Sequence, residues 1–183
     1  MNNDAIHTAH QSATAWARNL LKRDPRSWTI LDTETTGLER RDEIIQIAVI
    51  NGVGDVLINN ALIKPAFASI SPGAMAVHHI TPDMVKDAPS FREREPEIMS
   101  AIQGTLLVIY NAAYDTRMLA QSGRQFPLPI ESVTCAMLQY ADWVGDWNDY
   151  HGSFRWQKLE CGDHSALGDC RATFAIIHKM AEG

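Results

Sequence analysis

An apolar run that ends in two acidic residues constrains the possible folds of this chain more than any other feature. The run Trp28 to Thr33 is typical of a strand, and Asp32 and Glu34 stand two residues apart at its end. Side chains alternate across a strand, so both carboxylates project to one face of the sheet. Two anions at this distance repel each other unless a cation lies between them, and carboxylate oxygens suit Mg²⁺ or Mn²⁺. The spacing therefore indicates a metal site, with a solvated strand end as the alternative.

Two helical segments each place one aspartate among apolar residues. The periodicity of Ala112 to Gln121 puts Asp115 on the face that also carries Met118. In Ser165 to Met180, Asp169 is the single charge on an apolar arc. A buried, unpaired carboxylate costs several kcal/mol, and neither helix offers a basic residue on the same face. A metal site shared with the strand would satisfy these carboxylates, although a helix-dipole contact alone would satisfy each aspartate in part.

His164 is the histidine whose sequence neighbours favour a catalytic role. It lies five residues before Asp169 and directly before Ser165, the expected N-cap of the last helix. An imidazole with an ordinary pKa near ~6.5 can take a proton from an attacking water at neutral pH, as phosphodiester hydrolysis requires. A lone histidine is more often a surface or core residue. We interpret the other six in that way: His7, His10, His78, His79, His151 and His178.

The remaining patterns give an alternation of helices and strands. A hairpin-like turn at 51–55 joins the second and third strands, which predicts an antiparallel meander. Ser90 and Glu93 have capping-box spacing for a helix that ends at Gly104, with a kink or restart at Pro96. The expected elements are, in order, a helix at 5–23, strands at 28–33, 43–50 and 56–63, a proline-rich loop at 71–89, a helix at 91–104, a strand at 106–110, a helix at 112–121, a strand at 132–135, a long helix or helical pair, and a helix at 165–180.

Composition limits the classes of protein to which this chain can belong. The chain has 183 residues, of which 45% are hydrophobic and 21% charged, so we expect one globular domain with a substantial core. It has neither a membrane-spanning apolar run nor a secretory signal in its first 25 residues, which predicts a cytoplasmic protein. Its net charge of −6 argues against a clamp on a long duplex, but not against an enzyme that grips a strand end.

The three cysteines do not suggest a disulfide framework or a zinc site. Their number is odd, and they lack CxxC spacing and a neighbouring histidine pattern. We expect reduced thiols, with Cys170 in the core.

Three stretches together resemble the exonuclease motifs of the DEDD superfamily, in its histidine-bearing, DnaQ-like branch (DEDDh). They are DTETTGL at 32–38, NAAYD at 111–115 and HSALGD at 164–169, in the family's order. The branch includes bacterial proofreading subunits and exonuclease X, and the similarity runs from about Trp28 to Met180. It implies a ribonuclease H-like α/β fold, with a five-stranded mixed sheet whose first three strands are antiparallel and which is flanked by helices. Residues 1–27 would then be an N-terminal helical extension, and residues 28–183 the exonuclease domain.

The resemblance also implies a reaction and its residues. Members remove nucleoside 5′-monophosphates in the 3′ to 5′ direction with two divalent ions, Mg²⁺ or Mn²⁺. By position, Asp32, Glu34, Asp115 and Asp169 would be the catalytic metal ligands, and His164 would be the general base.

Five further positions would contact the substrate by the same resemblance. Leu38, with the backbone around Thr35 and Thr36, would cradle the terminal nucleotide. His78 and Asn111 would approach the same nucleotide.

The sequence departs from the family's pattern in three places. His79 stands where glycine is usual, and Tyr110 stands where a histidine usually precedes the Asn-Ala pair. The span before His164 is too short for most of the small helix that relatives place there.

Aromatic and basic residues near the C-terminal third leave two interpretations open. The aromatic residues could form a base-stacking platform or could serve core packing. Arg124, Arg155 and Lys158 could contact phosphate or could simply be solvated. The aromatic residues are Trp143, Trp147, Tyr150, Phe154 and Trp156.

Three functions are consistent with the sequence. The first is a 3′ exonuclease on single-stranded DNA or frayed 3′ ends, and the second is an exoribonuclease with the same mechanism. The third is a non-catalytic polymerase accessory or binding module, against which the retention of all four acids and His164 argues. The chain ends directly after its last helix, so we expect a free-standing enzyme rather than one with a polymerase-binding tail. The opening helix could still serve as a docking surface.

Overall fold

Five strands form one mixed sheet at the centre of the protein. A computed structural model describes residues 3–123 and 132–183. The strands of the sheet are β1 (Trp28–Thr35), β2 (Ile44–Asn51), β3 (Val56–Leu62), β4 (Leu106–Ile109) and β5 (Val133–Cys135), and the two-residue strands β6 (Trp147–Asn148) and β7 (Ser153–Phe154) form a separate hairpin. The helices are α1 (Asn3–Leu21), α2 (Pro72–His78), α3 (Pro82–Val85), α4 (Phe91–Ile102), α5 (Ala112–Ser122), α6 (Ala136–Val144) and α7 (Ala166–Glu182).

The strand order confirms the predicted fold class. The order is β3-β2-β1-β4-β5, with β1, β2 and β3 antiparallel and with β4 and β5 parallel to β1. Strand β1 is therefore the central strand, bonded on both sides. It extends to Thr35, two residues further than the sequence predicted.

Each face of the sheet is covered by a different group of helices. Alternate residues of β1 enter two cores: Ile30 packs with α1, α6 and α7, while Leu31 packs with α4 and α5. Both side chains are fully buried. The sheet is thus the middle layer of three, and the C-terminal end of β1 lies within reach of both helical layers.

Local signals explain most of the element boundaries. The Ser90 backbone N–H donates to Glu93 Oε2 at 2.7 Å, and the Glu93 N–H donates back to Ser90 Oγ, as the capping-box spacing predicted. Helix α4 then runs through Pro96 without a restart. All three cysteines are free, and Cys170 lies in the core as expected. Within the described residues no helix is long and apolar enough to cross a membrane.

Two predicted elements were wrong. The proline-rich loop at 71–89 contains the short helices α2 and α3, which begin at Pro72 and Pro82 because proline suits the first helical turn. The long helix or helical pair after Cys135 is instead the nine-residue α6 followed by the β6–β7 hairpin. Gly145 ends α6 in a left-handed conformation with φ +75°.

The backbone at His79 accounts for one departure from the family pattern. His79 ends α2 with φ 61° and donates its N–H to the Met75 carbonyl. A left-handed residue at this position favours glycine, because a Cβ crowds the neighbouring carbonyl. The usual glycine therefore serves the geometry of a helix end.

We predict that His79→Gly stabilises the protein. The exposed side chain is lost without a cavity, and the removal of left-handed strain should raise the free energy of unfolding by about 0.5–1 kcal/mol. Urea unfolding checks this value. His151→Gly, at an exposed residue outside the left-handed region, is the control and should not stabilise. A loss of stability in His79→Gly would contradict the strain argument.

Candidate active site

Three carboxylates meet on the α7 side of the sheet. Asp32 and Glu34 project from the end of β1, and Asp169 projects from the first turn of α7. One oxygen of each lies within 4.8 Å of the oxygens of the other two. The alternation of the strand and the helical position of Asp169 thus bring together three of the four acids that the sequence singled out.

The start of α7 is fixed by side chains from the sheet. Gln46 Oε1 accepts the Ala166 N–H at 3.0 Å, and Asn60 Oδ1 accepts the Leu167 N–H at 2.7 Å. Ser165, the predicted N-cap, accepts the N–H of Gly168. Three otherwise unsatisfied donors of the helix are therefore bonded, and the axis that carries Asp169 is held against β2 and β3.

The fourth acid, Asp115, approaches from the opposite face of the sheet. It is buried at the start of α5, with 3% of its surface exposed, and Thr33 Oγ1 donates to its Oδ1 at 2.8 Å. Thr33 projects from β1 away from Asp32 and Glu34, as the alternation predicted. Asp115 therefore lies beside the cluster of Asp32, Glu34 and Asp169 and is held there by a threonine that the sequence analysis did not identify.

The pKa values of all four carboxylates are raised. Burial raises the pKa of Glu34 to about 8, and the negative charge of Asp169 adds to the rise. Burial also raises the pKa of Asp115 to about 7, although the hydrogen bond from Thr33 opposes this change. For Asp32, burial comes first and the charge of Asp115 second, and for Asp169 burial is again the largest cause. Without a cation, each acid thus holds its proton more strongly than a free carboxylic acid does.

The composition of this cluster fits a divalent cation. Within the described residues none of the four acids forms a salt bridge with lysine or arginine. Converging carboxylate oxygens without a balancing charge are the donor set that hard cations such as Mg²⁺ and Mn²⁺ prefer.

His164 lies at the same end of α7. Its backbone N–H donates to Asp169 Oδ1 at 3.2 Å, and the N–H of Asp163 donates to the same oxygen at 3.1 Å. The side chain is exposed, and the backbone is left-handed with φ 59°. One oxygen of Asp169 therefore fixes the backbone of the predicted general base.

Two tyrosines hold the short segment 155–163 that leads to His164. The Tyr110 hydroxyl donates to the Gln157 carbonyl at 2.8 Å. The Tyr140 hydroxyl donates to Glu160 Oε1 at 2.5 Å, and Lys179 Nζ approaches Glu160 Oε2 at 2.8 Å. Sequence reasoning missed these positioning residues, because nothing along the chain shows that they meet.

Three predicted substrate residues are engaged within the protein. The Thr35 hydroxyl donates to the Gly37 carbonyl, and the Thr36 hydroxyl donates to Asp42 Oδ1. His78 is buried: its Nε2 donates to the Thr35 carbonyl at 3.1 Å, and its Nδ1 accepts the Ile80 N–H at 2.9 Å. This pairing sets the tautomer, and burial lowers the pKa of His78.

The other two predicted substrate residues remain available. Leu38 is 76% exposed, directly after the strand end that carries Glu34. Asn111 occupies the N-cap position of α5, where its half-buried side chain makes no capping hydrogen bond.

The aromatic residues divide between the two interpretations. Trp143 stacks on His10 and Tyr140 between α1 and α6, which is core packing. Tyr150 and Trp156 are exposed, by 91% and 70%.

The basic residues considered with them differ as well. Arg155 Nε lies 3.4 Å from Asp146 Oδ1, Lys158 is exposed, and Arg124 lies outside the described residues.

A mixed sheet whose central strand ends in clustered acids fits a metal-dependent nuclease, and comparisons with known proteins show this class. A family profile described as an exonuclease matches residues 29–177. The chain therefore belongs to this exonuclease family, and it is a 3′–5′ exonuclease of the DnaQ-like kind.

Individual relatives are similar over most of the chain. An uncharacterised exonuclease, CP81, of Escherichia phage 186 is 36% identical over 172 residues, which cover 84% of this chain and 87% of that protein. Exodeoxyribonuclease 10 of Escherichia coli K12 is 30% identical over 156 residues, covering 81% of this chain and 66% of that protein. The solved structure of exonuclease X in complex with 5′ overhanging duplex DNA aligns with a TM-score of 0.58 at 29% identity, covering 85% of this chain and 91% of that chain.

We predict that the cation-free protein loses stability as pH rises from about 4.5 to about 8. The unfolded acids ionise near their ordinary values of 3.8 and 4.5, whereas folded Asp115 and Glu34 titrate at about 7 and about 8. The folded state therefore binds more protons in this window, so the free energy of unfolding falls as pH rises. Thermal unfolding in chelator across this range measures the effect.

Glu34→Gln should flatten the fall, because it removes one of the acids with a raised pKa. Excess Mn²⁺ should abolish it. Asp87→Asn, at an exposed acid, is the control and should leave the slope unchanged. A stability that rises through this window in chelator would show that other groups compensate the carboxylates.

Proposed function

We propose that this exonuclease acts on the 3′ ends of single-stranded or frayed DNA and releases nucleoside 5′-monophosphates. The observation that carries the proposal is the approach of Asp32, Glu34 and Asp169 within 4.8 Å, with buried Asp115 beside them. DNA is favoured over RNA because relatives carry the names exodeoxyribonuclease 10 and exonuclease X, the latter with duplex DNA. An exoribonuclease with the same mechanism is the alternative, whereas the non-catalytic accessory module is set aside because the chain belongs to an exonuclease family.

Two divalent cations, Mg²⁺ or Mn²⁺, would be held by the four acids. Asp32 is the candidate for a shared ligand, because its charge interacts with those of Asp115, Asp169 and Glu34. Bound cations would supply positive charge opposite the scissile phosphate and would favour ionisation of the attacking water. The protein's part is to hold the oxygens in place before the substrate arrives, which the bonded start of α7 and the Thr33 hydroxyl support.

His164 would accept the proton of the attacking water. Its exposed imidazole stands next to Asp169, whose Oδ1 holds the His164 backbone. A base fixed through its backbone keeps side-chain freedom to meet the water and then to release the proton to solvent.

The strand end beyond Glu34 would receive the terminal nucleotide. Exposed Leu38 offers an apolar surface for a base, and the amide of Asn111, which makes no capping hydrogen bond, is available to the sugar or phosphate. Thr35, Thr36 and His78 would act through the shape of the backbone that they bond, since their polar atoms are engaged.

The organisation of the whole chain is also part of the proposal. We propose that residues 28–183 are the exonuclease domain and that residues 1–27 are a helical extension, because the family match begins at residue 29. Docking of a polymerase or another protein on the extension stays a prediction, as does a cytoplasmic location.

We predict that degradation requires a divalent cation and is abolished in Asp32→Ala. Removal of the central ligand releases the cations and leaves the remaining acids to repel one another. Ladders from 5′-labelled DNA and RNA oligomers, with Mg²⁺, Mn²⁺ or chelator, measure the activity. Asp87→Ala, at an exposed acid, should behave as the parent.

The same gels separate the two candidate substrates. Shortening of DNA well ahead of RNA supports the proposed substrate, and the reverse supports an exoribonuclease. The absence of any ladder under all conditions would contradict the proposed function. Activity of Asp32→Ala in chelator would contradict the metal mechanism.

We predict that His164→Asn lowers turnover by about 10² to 10⁴ and leaves cation binding nearly intact, because the base is lost while the ligands remain. Asparagine tolerates the left-handed backbone at this position, so the substitution tests chemistry rather than strain. Titration of Mn²⁺ against rate should give an unchanged half-saturation with a depressed plateau. His7→Asn on α1 is the control. Recovery of the parental plateau at high Mn²⁺ would show that His164 is a metal ligand instead.

A further inference from the structure

The loop that presents Leu38 has no regular secondary structure. It covers residues 37–42 between β1 and β2, and Leu38 is 76% exposed on it. Fixing the backbone of each loop residue costs conformational entropy, so such a loop is ordered only where its polar groups find partners. The position of the Leu38 side chain therefore depends on the contacts that hold this backbone.

Asp42 closes the loop from within. Its Oδ1 accepts from Thr36 Oγ1 and its Oδ2 accepts the Glu39 N–H, both at 2.6 Å. At Gly37 the backbone comes so close to the same carboxylate that a Cβ atom there would lie 2.7 Å from Asp42 Oδ2. The loop is thus folded tightly around one carboxylate.

Helix α5 bonds both ends of this loop from outside. The Tyr114 hydroxyl lies 3.0 Å from the Gly37 carbonyl oxygen at the start of the loop. At the end of the loop, Gln121 Nε2 donates to the Asp42 carbonyl at 2.9 Å. Tyr114 and Gln121 are seven positions apart, which is about two helical turns, so they lie on one face of α5. The loop is therefore attached along one face of a regular element.

Arg117 lies between these two residues and bonds the part of the loop that carries Leu38. Its Nη2 donates to the Leu38 carbonyl at 3.2 Å, and its Nη1 donates to the Glu39 carbonyl at 3.4 Å. A planar guanidinium can serve two carbonyls in a fixed geometry, which an ammonium cannot. The guanidinium is itself held, because its Cζ lies 5.2 Å from the centre of the Tyr114 ring and its Nη1 donates to Gln121 Oε1 at 3.3 Å.

The same helix also carries one of the four acids. Asp115 lies next to Tyr114 in the sequence and accepts from Thr33 Oγ1 at 2.8 Å. Helix α5 therefore fixes both a candidate cation ligand and the loop that presents Leu38. Groups that are held on one regular element keep their separation more closely than groups on independent loops.

We propose that Arg117 is a positioning residue for the 3′-terminal nucleotide and that it acts through Leu38, whose backbone it fixes so that the Leu38 side chain meets the terminal base. The inference rests on the proposed function, in which Leu38 offers the apolar surface for that base. A loop that is already ordered in the free protein binds more tightly, because ordering it costs nothing further when the nucleotide arrives. The contact with the base is the same before and during hydrolysis, so its loss should appear in KM rather than in kcat.

The experiment follows the removal of the first nucleotide from two single-stranded DNA oligomers in Mn²⁺. One has an ordinary 3′-terminal nucleotide, and the other has the same sequence with an abasic 3′-terminal nucleotide. Arg117→Met keeps an unbranched side chain and removes the donors. It should raise KM for the ordinary oligomer by about tenfold and leave kcat within about twofold. For the abasic oligomer, KM should stay within about twofold of the parent's value, because Leu38 then has no base to meet.

Two further variants keep the test decisive if Arg117→Met folds poorly. Arg117→Lys keeps the charge but cannot bond both carbonyls, so its KM should lie between those of the parent and Arg117→Met. Gln121→Met loses the bond to the Asp42 carbonyl and should raise KM for the ordinary oligomer in the same direction. A parental KM in both of these variants would overturn the proposal.

A double-mutant cycle tests whether Arg117 acts through Leu38. Leu38→Ala should raise KM for the ordinary oligomer, and adding Arg117→Met to it should cause no further rise. Additive losses would overturn the proposal, because Arg117 would then act independently of Leu38. An equal loss on the ordinary and the abasic oligomers would also overturn it, since Arg117 would then contact phosphate.

The matched control is Arg23→Met, which makes the same change in charge at an exposed residue after α1. An equal rise in KM in this control would reduce the effect to net charge and overturn the proposal. Hydrogen exchange tests the brace without any substrate: the amides of residues 37–42 should exchange about tenfold faster in Arg117→Met and at the parental rate in Arg23→Met. Parental exchange in Arg117→Met would overturn the proposal.

A binding measurement separates this inference from the proposed function. If the parent shortens neither DNA nor RNA, the proposed function has failed. Fluorescence anisotropy with the two labelled oligomers, in Mn²⁺ and with His164→Asn as background, still tests the role of Arg117. Tighter binding of the ordinary oligomer that is lost on adding Arg117→Met supports the proposal, and equal affinity for both oligomers overturns it.

Discussion

Carboxylates repel one another at the end of the central strand, and the rest of the structure must hold them together against this repulsion. Asp32, Glu34 and Asp169 meet within 4.8 Å, and Asp115 is buried beside them. Such a cluster opposes folding unless a cation is bound, because burial and like charges both favour the neutral acids. The fold withstands this because β1 is bonded on both sides and its apolar residues are fully buried on both faces. The rigidity that tolerates the repulsion is also what presents preorganised ligands to a cation.

The pleat of one strand connects the two helical layers to one site. Asp32 and Glu34 face α7 and meet Asp169, whereas Thr33 faces α5 and bonds Asp115. A shift of register by one residue would exchange these faces, which would turn Asp32 and Glu34 away from Asp169 and Thr33 away from Asp115. The same alternation places Ile30 and Leu31 in two different cores, so the packing that fixes the register also fixes the geometry of the site.

Much of this could be predicted from the sequence, because its signals are local. Apolar runs predicted the five strands, and the capping box at Ser90 predicted the start of α4. Helical periodicity placed Asp115 and Asp169 on the inward faces of their helices. Two predictions failed: the loop at 71–89 contains two short helices, and the helix after Cys135 ends earlier than expected because of one backbone dihedral angle. Gly145 ends α6 in a left-handed conformation, and periodicity alone does not distinguish a helical stop from a continuing helix.

Contacts between distant segments were beyond sequence reasoning for a different reason. The bonds from Gln46 and Asn60 to the start of α7 join residues more than 100 positions apart. A partial signal existed for Gln46, which is the single polar side chain within the buried run of β2, where it needs a partner. No comparable signal marks the partners of Tyr110 or Tyr140, because a tyrosine at a strand end or in a helix is common in any core.

Two departures of this chain from the expected family pattern, Tyr110 and the short span before His164, meet in one hydrogen bond. That segment contains turns rather than a helix, so it has no internal hydrogen-bond ladder to hold the base in position. The Tyr110 hydroxyl, on the residue where relatives usually have histidine, bonds the Gln157 carbonyl, and Asp169 bonds the His164 N–H. A loop that lacks secondary structure is ordered only by such external bonds. The tyrosine and the short segment are therefore joined by a hydrogen bond, through which a side chain at the end of β4 supports the backbone that leads to His164, the predicted general base.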